Sequence, residues 1–188
     1  MVPAPLPDAM TDPLVTRCVA GEPAAWRELH ARHQRVAHAF LQRLGIKGSD
    51  ADDACQEVFV QVFRYLARFE GRSDLKSWIY KLCVSQAARL RRRQKLTAAL
   101  RSVVLFWSPA ATASAGPQWS EGEVQRRIEA ALSRMRTIHR TVFVLYELEG
   151  LDGAEVARVL DLPPATVRRR LHDARAVFEA AIRDEVTT

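Results

Sequence analysis

Just past the middle of the chain runs SPAATASAGPQWS, residues 108–120, composed mostly of Ala, Ser, Gly and Pro. Such a stretch has little apolar surface to bury and no helical periodicity, and it reads as a linker. It divides 188 residues into two units. Each must bury an apolar face of its own, although a small unit can hide only part of its surface. The apolar fraction of 48% is enough to build such cores and argues against disorder throughout.

Helical spacing of apolar residues occupies most of the rest. Leu14, Val15, Cys18 and Val19 share one face of a short helix that stops near Gly21. Pro23 suits the first turn of a second helix carrying Trp26, Leu29, Val36, Phe40 and Leu44, broken by Gly45 and Gly48. Residues 49–53 (SDADD) are expected to cap a third helix, with acids in the turn where the helix dipole favours them. Cys55, Val58, Phe59, Val62, Phe63 and Leu66 follow on it. A fourth helix starts near Ser73 and Asp74, carries Trp78, Ile79, Leu82 and Leu90, and is expected to end on the basic run at Lys95. Beyond the linker, Val124, Ile128, Ala131, Leu132, Met135 and Ile138 are expected on one helix and residues 141–148 on the next. Strand-like alternation and internal repeats are absent, so the expected class is all-α.

The last part of the chain has a helix-turn-helix pattern: a helix over 153–160, a turn at Asp161, Leu162, Pro163 and Pro164, and a helix over 165–184. Val156, Ala157 and Leu160 can face inward from the first helix. Val167, Leu171, Ala174 and Phe178 form one buried stripe on the second. The opposite face keeps Thr166, Arg168, Arg169, Arg170, His172, Asp173 and Arg175. Arginine can bond a guanine edge with two hydrogen bonds, and a helix start can hold phosphate. A solvated basic face on a structural helix is the plainer alternative. The whole chain is basic, 28 Lys+Arg against 22 Asp+Glu, which fits a polyanionic partner.

Two blocks resemble a known family. Residues 49–95, SDADDACQEVFVQVFRYLARFEGRSDLKSWIYKLCVSQAARLRRRQK, are similar to region 2 of sigma factors of the extracytoplasmic-function (ECF) type. Residues 131–175, ALSRMRTIHRTVFVLYELEGLDGAEVARVLDLPPATVRRRLHDAR, are similar to their region 4. The resemblance implies two small helical domains joined by a flexible linker. The expected boundaries are a disordered tail at 1–11, a region 2 domain at 12–96, a linker at 97–120 and a region 4 domain at 121–186.

The resemblance also implies roles. Asp50, Asp52, Asp53, Gln56 and Glu57 would dock on the clamp helices of the polymerase β′ subunit, where carboxylates can pair with basic side chains. Arg68, Arg72, Ser73, Lys76, Trp78, Ser85, Arg89, Arg92 and Arg93 would contact the −10 element, holding unstacked bases on aromatic faces and phosphates on cations. Trp78 has an equally good reading as a core residue. Thr166, Arg168, Arg169, Arg170, His172, Asp173 and Arg175 would read the −35 element, and the same domain would touch the β flap. An anti-sigma factor is a further expected partner, with a monomer when free and no membrane insertion. The family usually has Asn at the position of Ser85, Asp at Arg89 and Gly at Ala165. Asp173 stands where a basic residue is common. These departures leave the promoter sequence open.

Other chemistry finds little support. The scattered cysteines Cys18, Cys55 and Cys83 suggest neither a disulfide framework nor a zinc site, and they fit a cytoplasmic protein. Residues 1–13 do not resemble a signal peptide, and no apolar run is long enough to span a bilayer. His30, His33 and His38 lie on one helix without recurring acidic ligands, so no metal and no cofactor is expected. No catalytic motif is found, and the expectation is a non-enzymatic factor. Two competing readings remain: a polymerase-independent helix-turn-helix repressor, and an enzyme acting on nucleic acid.

Overall fold

The computed structural model describes residues 12–71, 73–102 and 121–186. The tail at 1–11, most of the expected linker and the apolar run at 103–107 lie outside them. Every regular element among the described residues is helical.

The N-terminal half contains α1 (Pro13–Val19), α2 (Pro23–Arg43), α3 (Ser49–Tyr65) and α4 (Leu75–Ser102). Asp12 caps α1 by accepting from the Leu14 amide at 2.9 Å, and proline opens both α1 and α2. α3 begins differently from expectation. Gly48 occupies the capping position and Ser49 is already helical, so no side chain caps this helix. Asp74 stands just before α4 and accepts from the Ser77 amide at 2.6 Å. α4 runs on to Ser102, past the expected end at Lys95, so the first residues assigned to the linker are helical. Their sequence, TAALRS, contains no Gly or Pro to stop a helix. α2, α3 and α4 enclose Phe40, Leu41, Leu44, Val58, Val62, Ile79, Tyr80 and Cys83, all buried.

The C-terminal half contains α5 (Glu121–Arg134), α6 (Thr137–Phe143), a π-type turn (Val144–Leu148), α7 (Gly153–Leu160) and α8 (Pro164–Val186). Ile138 belongs to α6 and is exposed, so the single helix expected over 124–138 is broken near Met135. Met135 is buried at this corner, and α5 and α6 both pack on α8. Asp152 caps α7 in a reciprocal box: its carboxylate accepts from the Ala154 and Glu155 amides at 2.8 Å each, and Glu155 accepts from the Asp152 amide at 2.8 Å. Asp161 then takes a left-handed conformation, φ 53°, which Asp tolerates better than most residues, and turns the chain into Pro163 and Pro164. Val156, Val167, Leu171 and Ala174 are buried beneath this pair of helices. Val159, not foreseen as inward-facing, is buried too.

Candidate nucleic-acid interface

The burial of Val167, Leu171 and Ala174 fixes how α8 presents its other residues. Arg168, Arg169 and His172 project into solvent on the side away from that stripe. Thr166 and Arg170 are half-buried at one flank. Asp173 lies on the same flank, 3.8 Å from the His139 ring of α6. Arg175 lies on the other flank and is held there. Its guanidinium bonds Glu147 at 2.7 Å and sits 5.5 Å from the Tyr146 ring centre. The Glu147 hydrogen bond pushes its pKa above the ordinary arginine value. The seven residues named from sequence therefore divide into an outward set and two anchored flanks.

On α4, helical spacing brings Trp78, Lys81, Ser85, Arg89 and Arg92 into one stripe. Trp78 is half-buried, with its ring 5.5 Å from that of Phe69. One side of it packs and the other borders a cleft. Arg68 follows α3 in a short 3₁₀ turn (Leu66–Arg68) and lies over the Tyr65 ring at 5.7 Å. Lys76 turns away from the stripe, toward Tyr80 and Glu149. Arg93 lies at the edge of a depression shared with α3. Arg72 lies outside the described residues.

The five residues expected to dock form a ridge with two sides. Asp50, Asp53 and Glu57 face α4 across a depression of about 300 Å³ that Arg89 and Arg93 also line. Gln94 donates to Asp50 at 2.9 Å. Asp52 and Gln56 face α2, where His38 bonds Asp52 at 2.9 Å. The acids remain largely exposed, as a surface awaiting a basic partner would be.

A polar cluster that sequence reading missed lies at the contact between the two halves, whose buried apolar residues form one continuous core. Glu149, at the end of the π-type turn, has a side chain only 5% exposed. It accepts from Arg43 of α2 at 2.6 Å and from the Tyr80 hydroxyl of α4, with Lys76 Nζ at 4.0 Å. Burial, reinforced by Glu149, pushes the Tyr80 phenol far above its ordinary value, so the hydroxyl stays protonated and donates. Beside it, two guanidiniums satisfy the last carbonyls of α2: Arg140 Nε donates to Arg43 O at 2.5 Å, and Arg91 donates to Leu44 O. Burial lowers the pKa of both arginines. Gly45, at φ +94°, leaves room for Arg140; a Cβ there would come within 2.9 Å of its guanidinium.

Next to this cluster, Arg68, Phe69, Ser73, Trp78 and Lys81 form one wall of a cleft of about 430 Å³. Glu155, Arg158, Val159 and Asp161, from α7 and the turn after it, form the other. No group of side chains suited to a metal ion occurs among the described residues. His30 packs on Phe59, and burial lowers the pKa of His33. No described helix is long and apolar enough to cross a membrane.

Residues 29–97 match the protein family described as Sigma-70 region 2, and residues 125–177 match Sigma-70, region 4. The RNA polymerase sigma-H factor of Pseudomonas aeruginosa is 26% identical over 177 residues, covering 90% of this chain and 92% of that protein. The ECF RNA polymerase sigma-E factor of Haemophilus influenzae is 29% identical over 182 residues, covering 90% and 93%. Among solved structures, CnrH in complex with the cytosolic domain of CnrY superposes with a TM-score of 0.67 at 22% identity, over 91% of this chain and 96% of that one. The sigma factor RpoE of Bartonella quintana, in complex with the anti-sigma factor NepR, gives 0.69 at 18% identity, over 84% and 96%. These two structures share the fold.

Proposed function

We propose, for a chain that belongs to the sigma-70 family as a sigma factor of the ECF type, a division of labour between its halves in directing transcription from specific promoters. The N-terminal half docks on core polymerase through the ridge of Asp50, Asp52, Asp53, Gln56 and Glu57. Its Arg68, Trp78, Lys81, Ser85, Arg89 and Arg92 surface takes the opened −10 strand, with Trp78 offering a stacking face and the cations holding phosphates. The C-terminal half places α8 in the −35 major groove, with Arg168, Arg169 and His172 toward base edges. Arg175 and Asp173 set the flanks of that contact. Strand opening draws on binding energy; the chain itself carries out no covalent chemistry and works in the cytoplasm.

One observation carries this reading. Two blocks stand in family order on one chain, and each pairs an exposed basic face with a buried apolar one. An anti-sigma partner belongs to the same proposal, supported by the neighbour RpoE, whose structure was solved with the anti-sigma factor NepR.

The test is run-off transcription on genomic fragments with core polymerase and this chain. Discrete transcripts that need both components support the reading. Tight duplex binding by the chain alone, without transcripts, would favour the repressor. Asp53→Lys should weaken core binding while leaving the helical content intact; undiminished binding would remove the acidic ridge from the docking surface.

A further inference from the structure

We infer, on the reading of α8 as the −35 helix, that Asp173 selects a cytosine by accepting from its exocyclic amino group in the major groove, and that His139 of α6 is the positioning residue that keeps Asp173 available for this.

Asp173 is the only acid of α8 before Glu179, in a segment that also carries Arg168, Arg169, Arg170 and Arg175. Its side chain is 47% exposed. A carboxylate there repels the phosphates that the arginines attract. Two kinds of partner remain for it: an arginine of its own helix, or an amino group on a base edge. Arg169 and Arg170 stand one turn back, at the spacing where ion pairs along a helix form. Among the described residues Asp173 pairs with neither. Its partner is His139, whose Nε2 lies 3.8 Å from Oδ2. Arg169 is left exposed to solvent.

His139 stands on α6 where that helix packs on α8, with its side chain only 13% exposed, so packing fixes the ring. A protonated imidazole nitrogen attracts a carboxylate, and here it draws Asp173 away from Arg169. The separation is longer than a hydrogen bond, so the carboxylate keeps its lone pairs for another donor. A half-exposed pair of this length adds little stability. What the contact supplies is direction. Without it, Asp173 and Arg169 would neutralise each other, and neither would be free to meet a base. With it, one helical turn presents a donor fork suited to guanine and an acceptor suited to cytosine N4. The two side chains start about 6 Å apart, roughly one to two base-pair steps of about 3.4 Å, so they address neighbouring positions.

The experiment is transcription by core polymerase with the full chain from promoters randomised across the −35 element, read by sequencing the templates used. Circular dichroism checks the helix content of each variant. The parent should favour cytosine at one position by roughly fivefold or more. Asp173→Asn should move that position from cytosine to adenine, whose N6 and N7 match an amide, and leave the others unchanged. His139→Leu should weaken the cytosine preference and also the guanine preference set by Arg169. Adding Asp173→Ala should restore the guanine preference, which a merely structural histidine would not do. If His139→Leu loses helix content, His139→Met replaces it with the same expected pattern. An unchanged preference in Asp173→Asn, with one position relaxed by Arg169→Ala, would overturn the inference and keep α8 in the groove. A uniform gain in promoter use without a change of preference would also overturn it, because Asp173 would then only repel phosphate. A cytosine preference that survives the loss of His139 would overturn the role of His139. No change from either Asp173→Asn or Arg169→Ala would remove α8 from the −35 groove, and the inference with it.

Discussion

The two surfaces proposed to face DNA differ in exposure. The outward residues of α8 stand in solvent, and nothing among the described residues covers Arg168, Arg169 or His172. The corresponding surface of α4 is half roofed by α7, and its Lys76 is drawn toward Glu149. Both halves use the same construction, a basic face on a helix backed by a buried stripe. What separates them is a contact between the halves. Exposure of the proposed −10 surface is therefore set here by tertiary arrangement.

The sharpest way to break the comparison is to unbalance the halves. Phe40 is fully buried, its ring 4.4 Å from that of Tyr80. Phe40→Ala should cost the N-terminal half about 3–5 kcal/mol. Thermal denaturation followed by circular dichroism should then resolve two transitions, with the C-terminal half melting later. One shared transition would mean that the halves fold only together.

A second comparison lies within α8. Arg169→Ala should weaken promoter use by about 1–3 kcal/mol and relax one −35 position. Arg175→Ala should do less to base preference, because its guanidinium is engaged by Glu147 and Tyr146. Transcription from a library of randomised −35 sequences measures both. Equal loss of preference at both positions would mean that the Glu147 pairing does not withhold Arg175 from DNA.

The stability of α7, which roofs the cleft, can be adjusted separately. Asp152→Ala removes the reciprocal cap and should cost about 1 kcal/mol. Hydrogen exchange should speed up at the start of α7 and leave α4 unaffected. Matching changes in both helices would show that the two halves open as one unit.

The smallest expected effect belongs to His33. Burial and Arg32 lower its pKa, against weaker opposing contributions from Asp12 and Asp74, with Lys76 lowering it further. The neutral ring is favoured in the fold. Its contribution to stability is thus present above the unfolded value of 6.5 and is lost as pH falls from there through the folded value. Urea denaturation at several pH values should show a shallower acid loss in His33→Gln. An unchanged slope would mean that His33 does not titrate with folding.

Much of this was legible in the sequence, for physical reasons that also set its limits. Apolar spacing reports which side of a helix is buried, so Val167, Leu171 and Ala174 and the basic face opposite them could be read directly. Proline at the start of α2 is a local signal and held. The break between α5 and α6 carries no Gly or Pro; it comes from packing on α8, which local spacing does not encode. The continuation of α4 to Ser102 was hidden because a basic run looked like an ending. The contact between the halves was out of reach altogether. Arg43 and Glu149 are 106 residues apart, and Tyr80 and Glu149 are 69 apart. Neither looks unusual within its own helix, and only the tertiary fold brings them together.

The central claim is that one chain uses two surfaces on a promoter, one on each half. Permanganate and nuclease footprinting on a single promoter fragment tests this directly, comparing the chain alone with the chain plus core polymerase. The expected result is protection of both elements with reactive, unpaired thymines at −10 in the presence of polymerase, and no unpaired thymines with the chain alone. Strong protection of one duplex site by the chain alone, with no opened thymines when polymerase is added, would contradict it.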